Sequence, residues 1–221
     1  MKKIGIVGWS TGDNSFGVTK PYLEHIREFG TPIILSPDTF IPELDLVILP
    51  GGKDITNSGG YSFWNSAGEA FLEYFDNNTL PKYIEASTPI YGTCRGFQTL
   101  LNHFGVPLIQ NIFWSHGYSK DESDIEEHKV FIAQRLHHLK GLKHYKNQNY
   151  KYIETGSWHH QCAMIDDVER CGHFNIIGST EDKVVEFIEH KHLPIAGAQT
   201  HVERDYNLIS TYLIKKLLKI D

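Results

Sequence analysis

The run Pro89-Ile90-Tyr91-Gly92-Thr93-Cys94-Arg95-Gly96-Phe97-Gln98 delivers a cysteine between two glycines, just ahead of a helical pattern. A nucleophile needs this arrangement. The side chain sits on a sharp strand-to-helix turn, small neighbours let the backbone bend and a substrate approach, and the start of a helix favours the thiolate. A second segment, Gly197-Ala198-Gln199-Thr200-His201-Val202-Glu203, again ends an apolar run. Its His201 and Glu203 stand two residues apart, on one side of an extended backbone. A thiol needs a base to ionise it, and the base needs an orienting group on its other nitrogen. Cys94, His201 and Glu203 therefore predict nucleophile, base and orienting carboxylate. Singly, each has a plainer reading, because a free cysteine usually just packs and a His-x-Glu pair can be a solvated strand end. The argument rests on their conjunction.

Positioning such groups requires a frame, and short apolar runs alternating with helical patterns supply one. Lys3 to Gly8, Pro32 to Leu35, Leu46 to Leu49 and Ile90 to Thr93 read as strands, while Lys20 to Phe29 and Ala67 to Phe75 carry helical spacing. Later runs, Val130 to Ala133, Tyr152-Ile153, Asn175 to Ile177, Val184 to Ile188 and Ile195 to Gln199, read mostly as short strands, and Tyr206 to Leu218 as a closing amphipathic helix. The expected fold is α/β, a mostly parallel central sheet flanked by helices, in one domain over residues 1–221. Functional groups in such sheets gather at the carboxyl ends of the strands, where Pro50-Gly51-Gly52 and Cys94 both fall. The polar, acidic stretch from Asn111 to Lys129 reads as an exposed loop, with a lid as the alternative. Gly8-Trp9-Ser10-Thr11-Gly12-Asp13 lacks phosphate-loop spacing and reads as a flexible rim of the site.

Composition removes several function classes. With a net charge of -6 and a pI near 6.1, and no polybasic run, neither nucleic acid nor an acidic membrane is the expected partner. The N-terminus reads as a buried first strand, not a signal peptide, and no apolar stretch approaches bilayer-spanning length, so a cytoplasmic location is expected. Cys94, Cys162 and Cys171 are odd in number and form no C-x-x-C pair, against a disulfide framework or a cysteine-rich zinc site. His137-His138, His190-x-His192 and Cys171-x-His173 each offer two ligands and no recognisable third. They read as surface histidines, and no metal or other cofactor is expected.

Gly92-Thr93-Cys94-Arg95-Gly96-Phe97-Gln98, Pro50-Gly51-Gly52-Lys53-Asp54-Ile55, His159-His160-Gln161 and His201-Val202-Glu203 together resemble the class I glutamine amidotransferase superfamily. Within it they are most similar to stand-alone γ-glutamyl hydrolases of the γ-glutamyl-γ-aminobutyrate hydrolase type. The resemblance spans about residues 3 to 205 and implies a flavodoxin-like class I amidotransferase fold. It implies that Cys94 forms a γ-glutamyl thioester, that His201 moves the protons and that Glu203 orients His201. It further implies that the backbone N–H groups of Gly52 and Arg95 form the oxyanion hole, and that Gln98, His159, His160 and Gln161 hold the glutamyl group, the last three largely through backbone. Two departures stand out: Val202 replaces the family proline, and Gly156-Ser157 replaces the Asn-Ser before the paired histidines. The implied substrate is a γ-glutamyl-linked small molecule, either a γ-glutamyl amine or a nucleotide phosphoramidate of the γ-glutamyl-CDP-amidate kind. Lys53, Arg95, His116 and Lys120 would then neutralise phosphates, and Trp114 or Trp158 would stack on a base. The alternatives are a glutaminase subunit passing ammonia to a separate synthetase and, ranked last, a non-catalytic binding domain. A homodimer is compatible with all three.

Overall fold

A computed structural model describes residues 1–12, 15–56, 69–112, 127–146, 149–156, 158–204 and 206–221. The chain begins with β1 (Lys3–Val7), a hairpin of β2 (Trp9–Gly12) and β3 (Ser15–Gly17), α1 (Lys20–Arg27), β4 (Thr31–Leu35) and β5 (Leu46–Leu49). Then come α2 (Ala70–Tyr74), a π-helical turn (Phe75–Thr79), α3 (Leu80–Glu85), β6 (Ile90–Thr93) and α4 (Arg95–His103). The second half adds β7 (Glu127–Ile132), β8 (Lys143–His144), β9 (Lys151–Gly156), α5 (Ile165–Cys171), β10 (Phe174–Ser179), β11 (Val185–His190), β12 (Ile195–Ala198) and α6 (Leu208–Leu218).

Among the described residues, ten strands form one sheet in the order β4-β1-β5-β6-β12-β11-β10-β7-β9-β8. From β4 to β12 the pairings are parallel; from β12 to β8 they are antiparallel. The parallel half matches the strand–helix alternation of the sequence, and its strands β5, β6 and β12 are buried along their whole length, as helices on both faces require. The antiparallel wing arises where successive strands lie too close in sequence for a helical crossover. This is an α/β architecture, with helices on a mixed central sheet.

The hydrophobic core lies in layers on either face of the sheet. On one, Ile4, Ile6, Ile48, Tyr91 and Ala198 pack with Tyr22 and Ile26 of α1 and Ile209, Leu213 and Ile214 of α6. On the other, Val7, Val47, Leu49 and Ile90 meet Leu72, Phe75, Leu80 and Tyr83. Phe97 and Leu101 of α4 join Val168 of α5, Phe174 and Ile188 in a third cluster. Burying each such side chain contributes about 2 kcal/mol.

Some segments differ from the sequence expectation. The helix expected over 67–75 runs on through a π turn into α3, because Pro81 at the start of α3 donates no backbone N–H and the ladder re-registers ahead of it. Of Gly8 to Asp13, expected as a flexible rim, Trp9–Gly12 form β2, which pairs antiparallel with β3. The loop or lid expected over 111–129 falls mostly on residues 113–126, outside the described residues, and 127–129 already belong to β7. Among the described residues, no helix is long and apolar enough to cross a membrane.

Candidate active site

Cys94 stands between β6 and α4 with φ 50° and ψ -107°, a sparsely populated conformation that persists only where the surroundings enforce it. They do so here. The Cys94 N–H donates to the Ala198 carbonyl (2.8 Å), and the Gly96 N–H to the Pro50 carbonyl (3.0 Å). A Cβ on Gly96 would lie 2.2 Å from the Leu49 carbonyl oxygen, and one on Gly92 would lie 2.5 Å from the Gly96 carbonyl oxygen. The elbow is therefore as tight as glycine allows, which explains both glycines flanking the cysteine.

β12 runs parallel to β6, with Ala198 opposite Thr93, so the segment after it emerges beside Cys94. The Gln199 N–H donates to the Glu186 carbonyl at 2.8 Å, and Thr200 Oγ1 accepts from Asn207 Nδ2 at 3.2 Å. Asn207 also caps α6, accepting the Ser210 N–H at 2.8 Å. Held at both ends, the segment presents His201, whose Nδ1 donates to Glu203 Oε1 at 2.7 Å, while Cys94 acts on the ring electrostatically. His201 titrates at about 10 instead of its ordinary 6.5: burial opposes the charge, but Cys94, by charge and hydrogen bond, and then Glu203 outweigh it. Val202 is completely buried and anchors the loop through packing where the family has a proline.

The Pro50–Ile55 turn closes the site. A Cβ on Gly51 would lie 2.8 Å from His201 Cε1, so the His201 ring approaches bare backbone more closely than a side chain there would allow. The Gly51 N–H donates to the Tyr22 hydroxyl at 2.8 Å. Arg95 begins α4, where no carbonyl one turn earlier accepts its N–H. Among the described residues no backbone acceptor takes the Gly52 N–H either.

The residues expected to hold the glutamyl group form a connected network. Gln98 Nε2 donates to the Gln161 carbonyl (2.8 Å) and to Gln199 Oε1 (3.1 Å). The Gln161 amide accepts the Ile55 N–H and donates to the Ile55 carbonyl, both at 3.0 Å. His159 Nδ1 donates to the Gln161 carbonyl at 2.9 Å, and its Nε2 lies 3.5 Å from Glu186. His160 Nδ1 donates to the Gln110 carbonyl at 2.7 Å, and its Nε2 meets Asp54 at 2.8 Å. Two such bonds need both ring protons, and the Asp54 bond raises the His160 pKa above 6.5. These side chains thus hold one another, and with them the 50–55 turn.

Beside His201 opens a cavity of about 620 Å³, walled by Trp9 and Ser10 of the hairpin, Tyr22 and Pro21 of α1, Gly51 to Lys53, Glu69 and Arg204. Lys53 faces it, as a phosphate-neutralising role requires. Arg95 does not: its guanidinium is buried and pairs with Asp76 at 2.7 Å and with Thr99 at 3.2 Å, so it fastens α4 to the π turn. Trp158 packs edge-to-face on His201, with ring centroids 5.5 Å apart, and Arg204 lies over its ring. His116, Lys120, Trp114 and Ser157 lie outside the described residues. Among the described residues no group of three His, Cys, Asp or Glu is arranged to hold a metal, although His173 and His190 pack on Phe104 and on each other and His192 packs on His190. Tyr22 was not singled out by sequence reasoning; its hydroxyl gains meaning only where α1 crosses the 50–52 turn.

The arrangement has relatives. The chain is 24% identical over 217 residues to the "Putative glutamine amidotransferase-like protein YvdE" of Lactococcus lactis subsp. lactis, covering 90% of this chain and 85% of that protein. Among solved structures it resembles a "putative GMP synthase" component of Thermoplasma acidophilum, with TM-score 0.65, 21% identity and coverage of 99% and 93% of the two chains. It also resembles a glutamine amidotransferase of Thermotoga maritima, with TM-score 0.62, 13% identity and coverage of 99% and 82%. These similarities establish the shared fold. The Peptidase C26 family matches residues 9–203, a span that contains every element of the site, and the chain belongs to that family.

Proposed function

We propose that this protein hydrolyses the γ-glutamyl amide bond of a small metabolite through a Cys94-His201-Glu203 triad. The observation that carries the reading is His201, hydrogen-bonded to Glu203 and under the electrostatic influence of Cys94, on the wall of the 620 Å³ cavity. Family membership supports amide hydrolysis, and the cavity supports a leaving group larger than ammonia.

Cys94 Sγ attacks the γ-carbonyl carbon, and the carbonyl electron pair moves onto oxygen, where the Gly52 and Arg95 N–H groups receive it. Collapse of this intermediate breaks the C–N bond. The nitrogen leaves with the electron pair and takes its proton from His201, giving a free amine and a γ-glutamyl thioester. His201, now neutral, takes a proton from water; the hydroxide equivalent attacks the thioester, and glutamate departs as the thiol is restored. Glu203 holds Nδ1 throughout, keeping Nε2 turned to the reaction. The departing amine occupies the cavity lined by Trp9 and Lys53.

The test is glutamate release from glutamine, γ-glutamyl alkyl amines, γ-glutamyl amino acids and a γ-glutamyl nucleotide phosphoramidate, with Cys94→Ala alongside. Turnover of one conjugate well above glutamine, abolished in Cys94→Ala, is the expected result and identifies the leaving group. Reaction with glutamine alone would instead favour an ammonia-delivering glutaminase, and turnover unaffected by Cys94→Ala would overturn the triad.

A further inference from the structure

Tyr22 is 3% exposed, in the first turn of α1, and its hydroxyl is already an acceptor for the Gly51 N–H. A hydroxyl used in this way still has its own proton to place, and an unplaced buried donor is costly. Glu203 lines the same cavity as Tyr22; its Oε1 is taken by His201 and its Oε2 is buried with no hydrogen-bond partner. Gly51 in turn lies close against the His201 ring and immediately precedes Gly52. One hydroxyl therefore touches the turn that carries an oxyanion donor and neighbours the carboxylate that orients the base.

We propose that Tyr22 is a positioning residue for this site: its hydroxyl accepts the Gly51 N–H and donates to Glu203, tying the Gly51-Gly52 turn to the His201–Glu203 pair. The role rests on the triad reading above. Other groups around the carboxylate do not replace it. His25 of α1 is held below its ordinary pKa by burial, against the charges of Glu28 and Glu203, so it adds no cation. Tyr91 of β6 is kept protonated first by burial, and its hydroxyl bonds neither Glu203 nor the Gly51 turn. Tyr22 is likewise held well above the ordinary tyrosine value, by burial first and then by Glu203, and so remains a donor at every working pH.

The experiment compares wild type, Tyr22→Phe and Tyr83→Phe. Tyr83 is a control of the same kind: a buried tyrosine whose hydroxyl accepts the Ile41 N–H at 3.0 Å, remote from the site. Each change removes a single hydroxyl and the hydrogen bonds it makes, which a folded domain tolerates. Alkylation of Cys94 by iodoacetamide, located by mass spectrometry and followed against pH, reports the loss of the His201 proton without any γ-glutamyl substrate. Removing a donor from Glu203 leaves more of its charge to His201, so in Tyr22→Phe the alkaline step should rise by about half a pH unit. It should stay in place in Tyr83→Phe. With a turned-over conjugate, kcat should fall about tenfold with KM within about twofold, as for a displaced transition-state donor. An alkaline step that is unmoved or falls in Tyr22→Phe would overturn the proposal. A step that rises in a protein releasing no glutamate from any conjugate would leave Tyr22 in its role and remove the γ-glutamyl reading instead.

Discussion

At the residue scale the site is a problem in placing charge. His201 carries its proton to about pH 10 only because Cys94 and Glu203 outweigh its burial. Its folded pKa is above the unfolded 6.5, so the stabilisation it contributes is complete below 6.5 and is lost as the pH rises towards 10. Glu203→Gln keeps the shape and removes the charge, so the alkaline limb of glutamate release should shift to lower pH. The rate should fall by at least about a hundredfold through loss of orientation and imidazolium stabilisation. An unchanged limb in a pH-rate profile would show that Glu203 does not act on His201. The candidate triad was legible in the sequence because each member has a distinctive type and sits at the end of an apolar run. Tyr22 was not, because nothing in Lys20-Pro21-Tyr22-Leu23 distinguishes a core tyrosine from one that meets a catalytic loop.

At the element scale, the Pro50–Ile55 turn is held by side chains rather than by a ladder. The Gln161 amide grips both backbone groups of Ile55, and His160 bonds Asp54. Because Asp54 raises the His160 pKa, this tether stabilises fully below about 6.5 and weakens as pH rises through the raised value. Asp54→Asn should therefore lower the thermal midpoint at pH 6 and leave it nearly unchanged at pH 9, a difference worth about 1 kcal/mol for a half-buried pair. An equal loss at both pH values in thermal unfolding would show the bond does not depend on the charge. The His159-His160-Gln161 segment was recognisable as a motif, but its side-chain partners lie about 50 and 106 positions away in the chain, a distance no local pattern encodes.

On the scale of the whole molecule, the sheet is built from two unlike halves. The parallel half is buried from β1 to β12 and carries Cys94, the 50–52 turn and His201 at its carboxyl ends; the antiparallel wing ends in the exposed two-residue β8. At the opposite edge, β4 is guarded by Pro32, which has no N–H to offer a further strand, although Ile34 is 43% exposed there. Local opening should follow this gradient. Amide hydrogen exchange should be slowest in β5, β6 and β12 and faster by orders of magnitude in β8 and β9. Comparable protection throughout would mean the wing and the site unfold as one unit.

The sequence by itself determined the candidate nucleophile, base and carboxylate, the α/β class and the strands of the parallel half. These follow from residue type and from periodicities of 2 and 3.6, which are local. Only the tertiary structure decided that Arg95 is spent on Asp76 and not on substrate, that the paired histidines and Gln161 brace a turn, and that the Tyr22 hydroxyl takes the Gly51 N–H beside the His201–Glu203 pair. It also decided how far antiparallel pairing continues the sheet. Each of these depends on which polar group is left over when distant elements pack, because a buried donor or acceptor must find its partner wherever the fold has placed one.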